Sequence, residues 1–157
     1  MTIDRPTVFE FAGGEAAFLA LATALNERCL ADPVLNHPFS HPGHPQHLER
    51  LAGYLAEVFG GPPTYSESCG GHSAMLSIHS ESGAEDDLAS RFVSCFDRAV
   101  EDAAFSYDLE FRQLLHEFIV SATREVHSYS PHGSVVPQSL EMPRWSWNGP
   151  ESPSTSR

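Results

Sequence analysis

A single histidine, His79, closes the stretch Gly71-His72-Ser73-Ala74-Met75-Leu76-Ser77-Ile78-His79, which lies between segments rich in Leu, Phe and Ala. An imidazole presented singly to an apolar helical pocket is how a protein holds a haem iron from one side. Taken alone, His79 would be an ordinary half-buried or surface histidine. The residues before it shift the balance. Phe59-Gly60-Gly61-Pro62-Pro63-Thr64-Tyr65-Ser66-Glu67 ends a helix in a glycine pair and leads through a loop to the short segment that presents the imidazole. A haem also needs apolar walls and a distal side that is small or selectively polar. Phe92, Leu115, Phe118 and Ile119 are candidate walls on one side. Phe39, Leu51, Tyr54 and Leu55 are candidates on the other. Each of these, like Phe96 and Leu88, would by itself be plain core.

Other chemistries have weaker support. His37, His41, His44 and His47 are spaced by four, three and three residues. Neutral imidazoles suit zinc, nickel or copper, but the Cys partners of most structural zinc sites are missing. The interleaved prolines fit a solvated loop equally well, with His47 alone turned inward on the helix that follows. There is no Gly-x-Ser-x-Gly elbow and no recognisable Ser-His-Asp spacing. The carboxylates of Glu101, Asp102, Glu110 and Glu117 read as solvated helix faces. Cys29, Cys69 and Cys95 form no C-x-x-C pair and no evident disulfide framework, and Cys95 reads as packing rather than as a nucleophile.

Apolar periodicity predicts the elements that must position these groups. Phe18, Leu21, Ala22, Leu25 and Cys29 make one stripe on a helix over 14–31, broken by Asp32-Pro33. Prolines at 38, 42 and 45 keep 36–47 irregular. A second helix covers 45–59, with His47, Leu51, Tyr54, Leu55 and Val58 on one face and Glu49, Arg50 and Glu57 elsewhere, and Gly60-Gly61-Pro62 stops it. Residues 72–79 form a short helix. Helices over 88–103 and 108–127 carry Leu88, Phe92, Phe96, Ala99 and Ala103, then Phe111, Leu115, Phe118, Ile119, Ala122 and Val126. No strand alternation is visible, so the class is all-α. Residues 1–8 read as an N-terminal arm, 9–128 as the domain, and 129–157 as a Pro/Ser-rich extension that docks through Trp145 and Trp147.

The 157 residues suffice for one core. With 9 basic residues, all Arg, against 21 acidic ones, the formal charge is -12. Such a chain is a poor ligand for nucleic acid or an anionic membrane. No signal peptide is recognisable, and no run approaches the ~20 apolar residues of a span. The cytoplasm is the simplest compartment.

These residues resemble the truncated haemoglobins, and within them the second group. Gly13-Gly14 is similar to that family's first glycine motif and Gly60-Gly61-Pro62 to its second. The run Gly-Gly-Pro-x-x-Tyr-Ser-Glu-x-x-x-Gly-His-x-x-Met/Leu-x-x-His ends on His79, at the family's proximal ligand. Leu30-Ala31-Asp32-Pro33-Val34-Leu35 and Phe39 match the turn before the distal helix and the aromatic that wedges the haem face. The resemblance runs from about Phe9 to His127, and the tail around Trp145 and Trp147 is similar to an extension of some actinobacterial members. It implies a two-on-two helical sandwich, haem b as cofactor, and a diatomic ligand such as O2, NO or CO. It also implies a reductase of unknown identity, and a monomer or homodimer.

Several positions depart from the family pattern. Asn26 stands where Tyr is usual, Phe92 where a Trp donates to the iron's ligand, and Ile78 where Arg often pairs with a propionate. Ser80-Glu81-Ser82 replaces Ala-Pro-Phe. His47 falls at the classic distal position, and the resemblance gives it either of two roles, donor to the bound gas or sixth ligand to the iron. Tyr54 and Asn26 are its candidate helpers. Arg50, Tyr65 and Ser66 are the alternative propionate partners, with Met75, Ile78, Leu55, Phe96 and Phe118 as haem contacts. The functional expectation is gas binding, with oxidation of nitric oxide or peroxide turnover as redox variants. Two other readings stay open, a haem-free interaction module on a globin scaffold and a non-haem metal protein built on the histidine cluster.

Overall fold

The computed structural model describes residues 5–36, 46–80, 86–103, 105 and 108–151. The described residues form seven helices and one small hairpin, in the order α1 (Val8–Ala12), α2 (Glu15–Ala31), α3 (His47–Val58), α4 (Thr64–Cys69), α5 (Gly71–His79), α6 (Asp86–Asp102), α7 (Leu109–Ser128), β1 (Trp145–Ser146) and β2 (Gly149–Pro150). Phe39, His37, His41 and His44 lie outside the described residues, as do Glu81 and Ser82 of the stretch after His79.

The architecture is a sandwich of the four long helices. α2 packs on both α3 and α6, and α6 packs on α7. The reason is the apolar stripe of each helix, which is stable only when covered. The whole α2 stripe from Phe18 to Cys29 is buried, and Phe96, Phe111 and Leu115 reach 0 % exposure. Phe18 stacks on Phe59 at 6.0 Å, and Phe59 meets the edge of Phe118 at 5.1 Å. Burial of such side chains stabilises the fold by roughly 1.5–3 kcal/mol each.

Three short elements escape apolar periodicity. α1 starts in a capping box, in which Thr7 Oγ1 accepts from Glu10 N at 3.1 Å and the Glu10 carboxylate accepts from Thr7 N. Its Phe9 N–H donates to the Phe59 carbonyl at 2.9 Å, which ties α1 to the end of α3. There the chain turns at Gly61, where a Cβ would lie 2.8 Å from the Ala56 oxygen and 2.9 Å from the Phe9 ring. α4 is polar and is held by Glu57. The sequence places Glu57 off the packed face of α3, yet it is 1 % exposed, because its carboxylate accepts the Ser66 N–H at 2.9 Å and the Ser66 hydroxyl. Glu57 thereby caps the start of α4 from another helix.

The third unexpected element is the hairpin, with Trp145 paired to Pro150 and Ser146 to Gly149. Trp145 is buried edge-on against Phe118 at 5.6 Å. The Trp147 indole N–H donates to the Pro6 carbonyl at 2.8 Å, and the Arg5 guanidinium lies 3.6 Å over its ring. Upstream, Ser73 of α5 donates to the Pro137 carbonyl at 2.7 Å and accepts from Leu140 N at 2.9 Å. The segment after α7 is therefore a belt that crosses α5 and returns to the start of the chain.

Candidate functional site

His79 is the last residue of α5. The helix is set by Gly70, whose φ of +88° serves both as the left-handed stop of α4 and as the cap of α5. The imidazole is exposed, and its Nδ1 lies 2.8 Å from the Met75 carbonyl one turn back. A carbonyl can only accept, so Nδ1 carries the proton. Nε2 is then the basic nitrogen, with its lone pair available for a metal. This is the outer hydrogen bond that fixes tautomer and ring orientation in metal-ligating histidines.

The apolar candidates divide into two depths. Leu51 on α3, Met75 on α5, and Leu88, Phe92 and Val93 on α6 pack against the core but stay partly exposed. Ile78, beside His79, is 67 % exposed, which is unusual for an aliphatic side chain. Leu55, Phe96 and Phe118 belong to the closed core, and Phe118 is held between Phe59 and Trp145.

The polar candidates separate more sharply. Asn26 is half-buried on α2, and His47 is exposed at the first turn of α3. Tyr54 is buried, and its hydroxyl lies 2.9 Å from His72 Nδ1. His72 is itself buried, and its Nε2 lies 2.8 Å from Glu125 of α7. With Nε2–H donated to the carboxylate, Nδ1 accepts the tyrosine proton. Burial first, and then the charge of Glu125, pushes the Tyr54 phenol above its ordinary range. Tyr54 is thus committed to a Tyr–His–Glu chain joining α3, α5 and α7. The sequence marks His72 only as part of the glycine-histidine motif and does not mark Glu125 at all, since a partner 53 residues away leaves no local signal.

Among the propionate candidates, Ser66 is engaged by Glu57, and Tyr65 is buried edge-on to Tyr54 at 5.2 Å. Arg50 is half-buried and uses its Nε on the Cys69 sulfur at 3.4 Å. A guanidinium has further N–H groups beyond Nε, so Arg50 keeps donors for an anion. Among the described residues, no three His, Cys, Asp or Glu side chains are grouped to hold a metal ion by themselves.

A family model described as bacterial-like globin matches residues 7–123. Among solved structures, a thermostable haemoglobin of the actinobacterium Thermobifida fusca is 31 % identical, with 85 % of this chain and 100 % of that one covered at a TM-score of 0.64. The haemoglobin of Chloroflexus aurantiacus is 27 % identical, covering 78 % and 98 % at 0.68. The group II 2-on-2 haemoglobin of Agrobacterium tumefaciens shares the fold at 22 % identity, covering 80 % and 97 % at 0.67. No curated protein matches. A chain matched across about three-quarters of its length by that family model, folded as the group II truncated haemoglobins are, belongs to the bacterial-like globins.

Proposed function

We propose that this globin holds haem b through His79 and binds a diatomic gas at the iron. The observation that carries the reading is the His79 Nδ1 contact with the Met75 carbonyl, which leaves Nε2 as the ligating nitrogen. When bound, the haem supplies an iron with a coordination position for O2, NO or CO. Leu51, Met75, Ile78 and Phe92 are the apolar contacts for the macrocycle, which explains why Ile78 is tolerated in the open. Arg50 is the propionate partner. His47, aided by Asn26, is the donor to the bound gas or the group that closes the sixth position. Tyr54 does not share that role, since its proton is already given to His72.

Oxidation of nitric oxide or turnover of peroxide belongs to the same site and draws on a reductase. Three free thiols fit a reducing compartment, the cytoplasm. The functional unit is 9–128, with 1–8 as arm and 129–157 as extension, acting as a monomer or homodimer.

The test is the absorption spectrum of protein purified from haem-supplemented cells, recorded oxidised, dithionite-reduced, and reduced under CO. A Soret band that moves on CO binding is expected, and its loss in His79→Ala with an unchanged far-UV circular dichroism spectrum. A flat wild-type spectrum would leave a haem-free interaction module. A band that survives His79→Ala would move the ligand elsewhere.

A further inference from the structure

The Tyr54–His72–Glu125 chain joins three helices, and its geometry also suits a reaction. A phenol gives up an electron readily only when its proton leaves at the same time, and that needs a base already within hydrogen-bond reach. Tyr54 has one, His72 Nδ1 at 2.9 Å. Both partners are buried, the tyrosine at 5 % exposure and the histidine at 4 %. On the far side of the imidazole, Nε2 lies 2.8 Å from Glu125, whose side chain is 43 % exposed. The chain therefore runs from the core to solvent in two hydrogen bonds. Glu125 and the buried Glu57 set negative charge around the phenol, and the Tyr65 ring stands edge-on to it at 5.2 Å. Trp147 shows the opposite arrangement. Its N–H donates to the Pro6 carbonyl, which is no base, and the Arg5 guanidinium 3.6 Å over the ring opposes loss of an electron.

We propose that Tyr54 is a redox-active side chain that gives one electron to an outer-sphere one-electron oxidant and its proton to His72. The phenol O–H bond breaks, the proton crosses to His72 Nδ1, and the electron goes to the oxidant. The products are a neutral phenoxyl radical, an imidazolium and the reduced oxidant, so atoms, charge and electrons balance. The imidazolium keeps its Nε2–H on Glu125, and the neutral hydrogen bond there becomes a charge-assisted one. The same carboxylate favours the positive charge left on the ring of His72. Before oxidation, burial first and then Glu125 hold the proton on Tyr54, so the phenol is not an acid at rest. Return of one electron draws the proton back from Nδ1 to the phenoxyl oxygen. The inference does not depend on what His79 holds.

The test oxidises the full-length protein with photogenerated tris(bipyridine)ruthenium(III), freezes it, and records electron paramagnetic resonance. The expected signal is a phenoxyl radical that narrows when the protein carries ring-deuterated tyrosine. It should vanish in Tyr54→Phe, at unchanged helical circular dichroism, and persist in Tyr129→Phe. In wild-type protein exchanged into heavy water, electron–nuclear double resonance should find one deuteron hydrogen-bonded to the phenoxyl oxygen, the one passed to His72. Glu125→Gln keeps an acceptor for Nε2–H but removes the charge, and should slow radical formation about fivefold. A phenoxyl signal that survives Tyr54→Phe, or an indole radical in its place, would overturn the assignment. A phenoxyl oxygen without the deuteron would overturn His72 as the proton acceptor, and so would an unchanged rate in Glu125→Gln.

Discussion

An imidazole whose Nδ1–H is tied to a backbone carbonyl is a stronger donor through Nε2 than a free one, because the bond stabilises charge built up on the ring. His79 has that tie to Met75, and the function proposed above pairs it with His47, at the head of α3, as donor to the bound gas. Bound O2 carries partial negative charge, and a well-placed donor stabilises it by about 1–3 kcal/mol. Replacing His47 with Leu should therefore raise the O2 dissociation rate about tenfold in stopped-flow displacement, and an unchanged rate would remove His47 from the distal role. Tyr54→Phe should leave O2 release alone and cost about 1–3 kcal/mol in urea unfolding, since it strands the buried His72 nitrogen. Asp32 gives a pH signature. Backbone N–H bonds from Leu35 and Val34, with Arg91 beside them, hold its carboxyl below the ordinary range. A carboxyl depressed in the folded state stabilises it above the unfolded pKa near 4, and that contribution is lost as pH falls through the folded value. Asp32→Asn should thus melt lower than wild type at pH 7, with the gap closing as the pH drops below about 4.

Two glycines of α3 and its stop put numbers on the elements. Gly53 sits within α3 and a Cβ there meets nothing within 4 Å, so Gly53→Ala should raise stability by about 0.5–1 kcal/mol. Gly61→Ala drives a methyl into the Ala56 carbonyl and the Phe9 ring, and should cost about 1–3 kcal/mol in the same thermal melts. The same contrast marks how far the sequence reads. Long helices with buried stripes, such as Phe18 to Cys29, are written in local spacing and are found within a residue or two. α4 is not, because its six residues are held by Glu57 from another helix rather than by a stripe of their own. α1 carries a local sign after all, the Thr7-Val8-Phe9-Glu10 capping box, which apolar periodicity passes over. At the site, the motif ending in His79 is local and legible. The Tyr54–His72–Glu125 chain is tertiary and leaves nothing in the spacing to find.

The whole molecule is a sandwich bound by a belt. Trp145 fills a buried position against Phe118, and Trp145→Ala should cost about 3–5 kcal/mol. The belt also joins the ends of the described chain, with Arg5, Pro6 and Glu110 gathered around Trp147. Both tryptophans of the sequence are in this belt, and the helical body has none. Indole emission is therefore a private signal of the belt, while far-UV circular dichroism reports the helices. Heating the protein while recording both separates two architectures that look alike at rest. A shared midpoint would make belt and sandwich one cooperative unit, and an earlier loss of the indole signal would make the belt a clasp that opens before the globin melts.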